Sequence, residues 1–385
     1  MNKIRHAFFI ISLFLVNPVF SQNVVIVIID GARYSETFAD QNNSYTPKMW
    51  DLAKGGTYIN DFYNDSTTYT AAAIPALWCG TWTDRVDTFY NGANTQYAVK
   101  PSIFEYFRKQ KNIAEEKCLY SLKYVSSLWL QSFHKDYGVN YWPHTISQGW
   151  NDDDVLQNTL NYMQLEHPQL TVMYLAGVDG AGHTGNWNNY VNTLENADKI
   201  VADFWETIQQ DDFYKEKTTM IVTNDHGRHD DAHGGFQGHG CGCSGCRRIM
   251  FLAVGPNIKK NYVSTQTRRI PDVAVTAASI LGVNMEYSSG EVTTEIFEST
   301  EISKLNNSIS WLVTPSEIRV NIQNKSKISL SVYNITGKKV KEIANNLEVS
   351  HHQNFNWNNN LNEGIYFIRL MIDGIKETKK VVVLN

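Results

Sequence analysis

The chain predicts an α/β body with a mostly parallel central sheet flanked by helices, followed by a small C-terminal all-β sandwich. Three observations carry that reading. The runs Val24–Ile29, Thr171–Leu175, Met220–Thr223 and Ile249–Val254 are apolar and β-branched without polar alternation, as strands buried on both faces of a parallel sheet are. Helical patterns separate the first three of these runs. After about residue 303 the pattern changes to short β-type runs, Ile328–Tyr333, Gly364–Met371 and Lys379–Leu384, divided by Asn and Gly turns. With 385 residues, 42% of them hydrophobic, the chain is long enough for one sizeable core and a second small one.

Taken in order, the chain opens with MNKIRHAFFIISLFLVNPVFSQ, a basic start followed by an apolar stretch from Ala7 to Val16 and small-residue spacing at Val19 and Ser21. Residues 1–21 therefore read as a cleavable secretion signal. The apolar part is shorter than the roughly 20 residues a membrane span needs, and no later segment qualifies, so no transmembrane span is expected in the mature chain. A formal charge of −5 offers no polyanion-binding surface and argues against nucleic acid as a stable partner.

The first strand ends on Asp30-Gly31, an acid at the strand edge where open α/β sheets bind ligands. Thr46 caps a helix with Pro47 at its first position, and Gly55-Gly56 stops it. Gly56 to Phe62 reads as a strand or its approach. In Thr67-Thr68-Tyr69-Thr70-Ala71-Ala72-Ala73, the small residues after Thr70 let a helix N-terminus open beneath that hydroxyl, where an anion is favoured. Ser102–Arg108 is an amphipathic helix. The stretch from Lys111 to Trp150 is aromatic and irregular, a cover for the sheet or a substrate wall. Helices follow over Asn151–Glu166, Asn192–Gln209 and Ile270–Gly282. The run Thr171–Leu175 leads into a loop, Gly177-Val-Asp-Gly-Ala-Gly-His183, that can turn Asp179 and His183 toward one point.

Thr218 to Pro256 is the stretch the rest is arranged around. Its strand stops abruptly at Asn224-Asp225-His226-Gly227, a glycine-rich loop carries His229, His233 and His239, and a second apolar run returns to the sheet. Carboxylate and imidazole ligands at a strand end and in the loop after it suit a metal site. The chain has 5 cysteines, so not all can pair within it. In Cys241-Gly-Cys-Ser-Gly-Cys246 a disulfide inside the trio, or to Cys118, is the first expectation and a soft-metal cluster the second. Cys79 reads as core.

Asp30, Thr70, the Asp179-x-x-x-His183 pair, Asp225-His226-Gly227, and Gly238-His239-Gly240 ahead of Phe251–Pro256 together resemble the alkaline phosphatase superfamily, closest to its phosphodiesterase and nucleotide pyrophosphatase branch. The resemblance covers roughly Asn23 to Glu291. It implies an alkaline-phosphatase-like fold and two zinc ions, with another divalent metal as the alternative. Asp30, Thr70, Asp225 and His226 would hold one ion, and Asp179, His183 and His239 the other. Two ions about 4 Å apart clamp the attacking and leaving oxygens of an in-line displacement. Thr70 is the implied nucleophile, passing through a phosphothreonine that water clears; Thr67 and Thr68 are the competing hydroxyls. His239 is preferred over His229 and His233, which read as solvated loop residues. Asn91, with Asn94 beside it, is a candidate donor to the phosphoryl group, although Asn-Gly is also a common turn.

The resemblance implies an exported phosphoester hydrolase, phosphodiesterase-like, acting on a small-molecule phosphoester. Thr70-Ala-Ala-Ala-Ile lacks the x-Pro-x-Arg that follows a sulfatase nucleophile, and the Thr-x-Pro-Asn of typical nucleotide pyrophosphatases is missing as well. A phosphomonoesterase or phosphomutase of the same superfamily, and a non-catalytic metal-stabilised surface binding protein, stay open as alternatives. The ending NEGIYFIRLMIDGIKETKKVVVLN resembles the C-terminal sorting domain of type IX secretion in Bacteroidota, although Val313-Thr314-Pro315 stands where Tyr-Pro-Asn-Pro usually opens it. The expected organisation is a signal at 1–21, a metallohydrolase domain at 22–302 and a β-sandwich sorting domain at 303–385. The type IX machinery is the implied partner, and the destination is the cell surface or the outside.

Overall fold

The computed structural model describes residues 23–123, 129–298, 309–314, 317–358, 361–372 and 375–383. The secretion signal, the composition change at Ser303 and Pro315 lie outside them. Two compact units are present, divided between Ile296 and Phe297.

The first unit is built on eight strands: β1 (Asn23–Ile29), β2 (Gly56–Ile59), β3 (Cys118–Leu122), β4 (His144–Ser147), β5 (Leu170–Leu175), β6 (Thr218–Thr223), β7 (Phe251–Val254) and β8 (Tyr262–Ser264). They lie in the order β8-β2-β7-β6-β1-β5-β3-β4. Pairings are parallel except for the two made by β7. β1 is central, and every residue in it is buried, which explains its unbroken β-branched composition. Its register sets Ile28 beside Thr223 of β6 and Ile29 beside Leu175 of β5. The residues that follow these three strands therefore emerge side by side at one edge of the sheet.

Side chains alternate across β1. Val25, Val27 and Ile29 join a core with Met49 and Ala53 of α1 (Pro47–Lys54), Val155 and Met163 of α4 (Asp152–Glu166), and the buried stripe Tyr190, Leu194, Ala197, Val201 and Phe204 of α6 (Trp187–Ile208). The helices α2 (Thr70–Cys79), α3 (Ile103–Lys111) and α7 (Pro271–Leu281) pack among themselves, and α7 packs on β1. Apolar burial at about 25 cal/mol per Å² on both faces makes this sheet the stable platform of the unit.

Local chemistry explains most helix ends. Ser102 and Glu105 form a capping box at α3, and Asn151 and Asn186 cap α4 and α6. α6 starts at Trp187, five residues before the expected Asn192, because Asn186 supplies its cap. Thr46 does not cap α1. The Lys48 and Met49 N–H groups instead donate to the carboxylate of Asp198 on α6, at 2.9 and 2.7 Å. A charged acceptor from a packed neighbour has displaced the local hydroxyl. Asp179 and His183 lie on a short helix, α5 (Gly177–His183), and not in a loop.

The second unit is antiparallel: β9 (Ile309–Val313), β10 (Glu317–Asn334), β11 (Lys339–Asn356), β12 (Gly364–Ile372) and β13 (Ile375–Val383). Alternate residues such as Ile328, Leu330, Val332, Ile368 and Leu370 are buried around Trp357, giving this unit a core of its own. Among the described residues no helix is long and apolar enough to cross a membrane.

Candidate active site

The three adjacent strand ends and the start of α2 deliver the predicted residues to one place. Asp30 follows β1, and Asp225-His226 follow β6. Thr70 opens α2 with its hydroxyl 3.0 Å from His226 Nε2 and 3.5 Å from Asp30 Oδ1. His226 Nε2 in turn lies 3.4 Å from Asp30 Oδ1 and 3.4 Å from Asp225 Oδ2. In a second group, His183 Nε2 lies 3.3 Å from Asp179 Oδ2 and 3.2 Å from His239 Nε2, while His239 Nε2 is 3.5 Å from Asp179 Oδ1. The His226 and His239 rings stack with centroids 4.0 Å apart, so the two groups are contiguous.

Hydrogen bonds at the far side of each ring fix which nitrogen is bare. His226 Nδ1 lies 2.8 Å from the Gly227 carbonyl, and His239 Nδ1 lies 2.9 Å from the Thr68 carbonyl. A carbonyl only accepts, so both Nδ1 atoms carry the proton and both Nε2 lone pairs face the carboxylates. Asp225 Oδ1 accepts from the Gly31 and His226 N–H groups, whereas its Oδ2 is buried with no hydrogen-bond partner. Facing lone pairs and an orphaned buried carboxylate oxygen are costly unless a cation sits among them.

The electrostatics agree. Burial, with repulsion from Asp225, holds Asp30 well above the usual carboxylate range. Burial pushes Asp225 up to about 7, and burial with the neighbouring His226 pushes His239 down to about 4. Burial also raises Asp179, but the Arg228 guanidinium and nearby imidazoles outweigh it and leave Asp179 below its ordinary value. Asp30 and Asp225, which resist ionisation, beside His239, which resists protonation, belong to a donor set suited to a divalent metal.

Supporting residues were not legible in the sequence. The Tyr174 hydroxyl, from β5, donates to Asp30 Oδ2. Arg228, fully buried, ion-pairs with Asp179 and also donates to the carbonyls of Phe236 and Gln237. Asn64 donates to the carbonyls of Thr67 and Asp225, tying the approach to α2 to the end of β6. Arg228 had a weak signal, a lone cation directly after Asp225-His226-Gly227; Tyr174 and Asn64 had none. Gly31 is required by space: its φ is 68°, and a Cβ there would lie 2.8 Å from Arg228 Nη1 and 2.9 Å from Asp179 Oδ1.

Of the competing hydroxyls, Thr68 is buried and donates to the Cys241 carbonyl. Thr67 is exposed. Asn91, with φ 49°, and Gly92, with φ 84°, form the tip of an exposed hairpin between Arg85–Tyr90 and Ala93–Ala98, and Asn94 follows them. Asn91 is thus a turn residue, which its Asn-Gly dipeptide explains. His233 is exposed and paired with Asp230, as a solvated residue would be. His229 departs from that expectation, because its Nδ1 points at sulfur. The expected disulfide is also absent: all five cysteines are free thiols, and Cys118 is buried within β3.

The body has an alkaline phosphatase-like α/β fold, and the model for the metalloenzyme superfamily matches residues 133–285, which include Asp179, His183, Asp225, His226 and His239. The model for the secretion system C-terminal sorting domain matches residues 314–384. That tail assigns the chain to type IX secretion, toward the cell surface or the outside. No curated protein matches the sequence. Among solved structures, murine ectonucleotide pyrophosphatase/phosphodiesterase 5 is similar with a TM-score of 0.53 and 13% identity, over 72% of this chain and 100% of that one. The phosphonate monoester hydrolase of Agrobacterium radiobacter is similar at 0.55 and 10%, over 78% and 87%. A 2-O glycosaminoglycan sulfatase is similar at 0.53 and 12%, over 80% and 82%. At these identities the likeness is one of fold.

Proposed function

We propose that the chain is an exported two-zinc phosphoester hydrolase, phosphodiesterase-like, that works through a phosphothreonine on Thr70. The observation that carries this reading is the place of the Thr70 hydroxyl, at the first residue of α2 and 3.0 Å from His226 Nε2, beside two contiguous groups of bare donor atoms. Asp30, Thr70, Asp225 and His226 would hold one zinc, and Asp179, His183 and His239 the other. When bound, such ions act as Lewis acids that ease loss of the Thr70 proton and draw charge from the phosphoryl oxygens.

The chain's own residues supply position and order. Thr70 Oγ1 attacks phosphorus, the bond from phosphorus to the ester oxygen breaks, and the leaving alcohol takes the electron pair and a proton. Water then attacks phosphorus, the bond from phosphorus to Thr70 Oγ1 breaks, Oγ1 regains a proton from that water, and the remaining phosphate ester departs. The N-terminus of α2 favours the anionic group beside Thr70. Tyr174 and Arg228 keep Asp30 and Asp179 in place, so little reorganisation is needed as charge develops. Tyr69, half exposed and edge-on to His239 at 5.6 Å, would offer an aromatic face to the leaving group.

A panel of aryl phosphate mono- and diesters with added zinc tests the reading. Hydrolysis is expected to favour the diester, to stop on chelation, and to fall more than about a thousandfold in Thr70→Ala. Turnover retained in Thr70→Ala would remove Thr70 as nucleophile. Cleavage of sulfate esters but not phosphate esters would overturn the substrate class.

A further inference from the structure

Apart from the site just described, four soft or borderline donors converge in the loop after β6. His229 Nδ1 lies 3.0 Å from Cys241 Sγ, 3.2 Å from Cys246 Sγ and 4.0 Å from Cys243 Sγ. Cys241 Sγ and Cys246 Sγ are 3.7 Å apart, and all four donor atoms lie within 4.8 Å of one another. With zinc–sulfur bonds of about 2.3 Å and a zinc–nitrogen bond of about 2.0 Å, a tetrahedral ion sets sulfur–sulfur edges of about 3.8 Å and sulfur–nitrogen edges of about 3.5 Å. The three sulfur–nitrogen separations bracket the second of these edges, and the Cys241–Cys246 separation matches the first. A disulfide needs its sulfurs about 2.05 Å apart and uses two of the three thiols, leaving the third and the imidazole unexplained.

The backbone supports the same arrangement. Cys243-Ser-Gly-Cys246 has the two-residue spacing at which paired thiolates grip one ion. The Cys243 N–H donates to Cys241 Sγ at 3.3 Å, a bond that favours a charged sulfur. Gly245 lets the turn close on the preceding strand exit, since a Cβ there would lie 2.4 Å from the Arg228 carbonyl oxygen.

We propose that His229, Cys241, Cys243 and Cys246 bind a structural zinc ion, separate from the catalytic pair. The three cysteines bind as thiolates and His229 as a neutral imidazole through Nδ1, so binding releases the thiol protons to solvent. The ion closes the loop on both sides of His239. The Cys241 carbonyl accepts from Thr68 Oγ1, and the Thr68 carbonyl holds His239 Nδ1. The Cys246 carbonyl accepts from Gly227 N–H, next to His226. The ion thereby pins the loop that presents His239 to the segment that presents Thr70. The proposal does not depend on which ester, if any, the other site cleaves.

Cobalt(II) loading of the whole mature protein tests it. Intense near-ultraviolet thiolate-to-cobalt charge-transfer bands are expected, which oxygen and nitrogen ligands do not give, and zinc should displace the cobalt and bleach them. Cys243→Ser and His229→Ala should each reduce bound metal by one ion per chain. Zinc-loaded protein should resist alkylation at the three loop cysteines until chelator is added. Absence of the bands, an intact mass lower by the two hydrogens of a disulfide, or rapid alkylation of the loop thiols at saturating zinc would overturn the proposal. The cobalt measurement decides the matter if the variants do not fold.

Discussion

Tyr174→Phe isolates the support of the site from its ligands. The substitution keeps the ring and removes one hydroxyl, which donates to Asp30 Oδ2 in a buried position at the end of β5. Hydrogen bonds to charged groups contribute about 1.5–3 kcal/mol. If most of that energy serves to hold Asp30 as an ionised ligand, metal at the Thr70 side binds roughly 10- to 100-fold more weakly, the range found when outer partners of metal ligands are removed. Zinc titration against a competing chelator measures the loss, and diester turnover at limiting zinc should fall with it. Saturating zinc should restore most of the rate, because Thr70 and the ligands are intact. Affinity within about twofold of the unmodified protein would refute the claim that Tyr174 holds Asp30 for metal. A rate loss that zinc cannot restore would place Tyr174 in the chemistry instead.

Asp198, which caps α1 from α6, is raised by burial from 3.8 to about 6. The folded protein therefore holds its proton where the unfolded chain has lost it, and stability should decline as pH rises from about 4 through about 6, by up to ~3 kcal/mol from this group. Asp198→Asn should flatten that part of a pH series of chemical denaturation, and an unchanged slope would show that Asp198 is not the group responsible. Glu105 accepts from Ser102 N–H, Gly138 N–H and the Ser132 hydroxyl. Glu105→Ala should cost about 3 kcal/mol or more in denaturant unfolding, since buried donors lose their acceptor. Deleting residues 306–385 should leave the body's turnover intact and abolish delivery to the surface, since each unit has its own core. Secretion of the truncated chain, measured in the medium and on intact cells, would contradict that role for the tail.

Much of the fold was written in strand composition and helix punctuation. The runs that became β1, β5, β6 and β7 are continuously apolar because both faces of the sheet are covered, and β1 and β6 stop abruptly on polar residues at the functional edge. That is why Asp30, Asp225 and His226 stood out. What the sequence concealed depends on distance along the chain. Tyr174 looks like any strand aromatic until β5 is laid beside β1, and Asp198 looks like a surface helix residue until it meets the start of α1. The cysteine trio was visible, but its use was not, because the fourth donor is His229, twelve residues before Cys241 and brought back by the turn at Gly234-Gly235. Asn91 could be read in two ways, as an amide donor or as an Asn-Gly turn, and the backbone uses it at a hairpin tip.

On the proposed reading, two metal ions occupy adjacent donor sets with Thr70 bound at one of them. Anomalous diffraction recorded at the zinc absorption edge, from crystals of the mature protein grown with zinc, addresses it most directly. Two peaks should stand in this site, one among Asp30, Thr70, Asp225 and His226 and one among Asp179, His183 and His239. A single peak, or two peaks with the Thr70 side chain turned away from both, would contradict it.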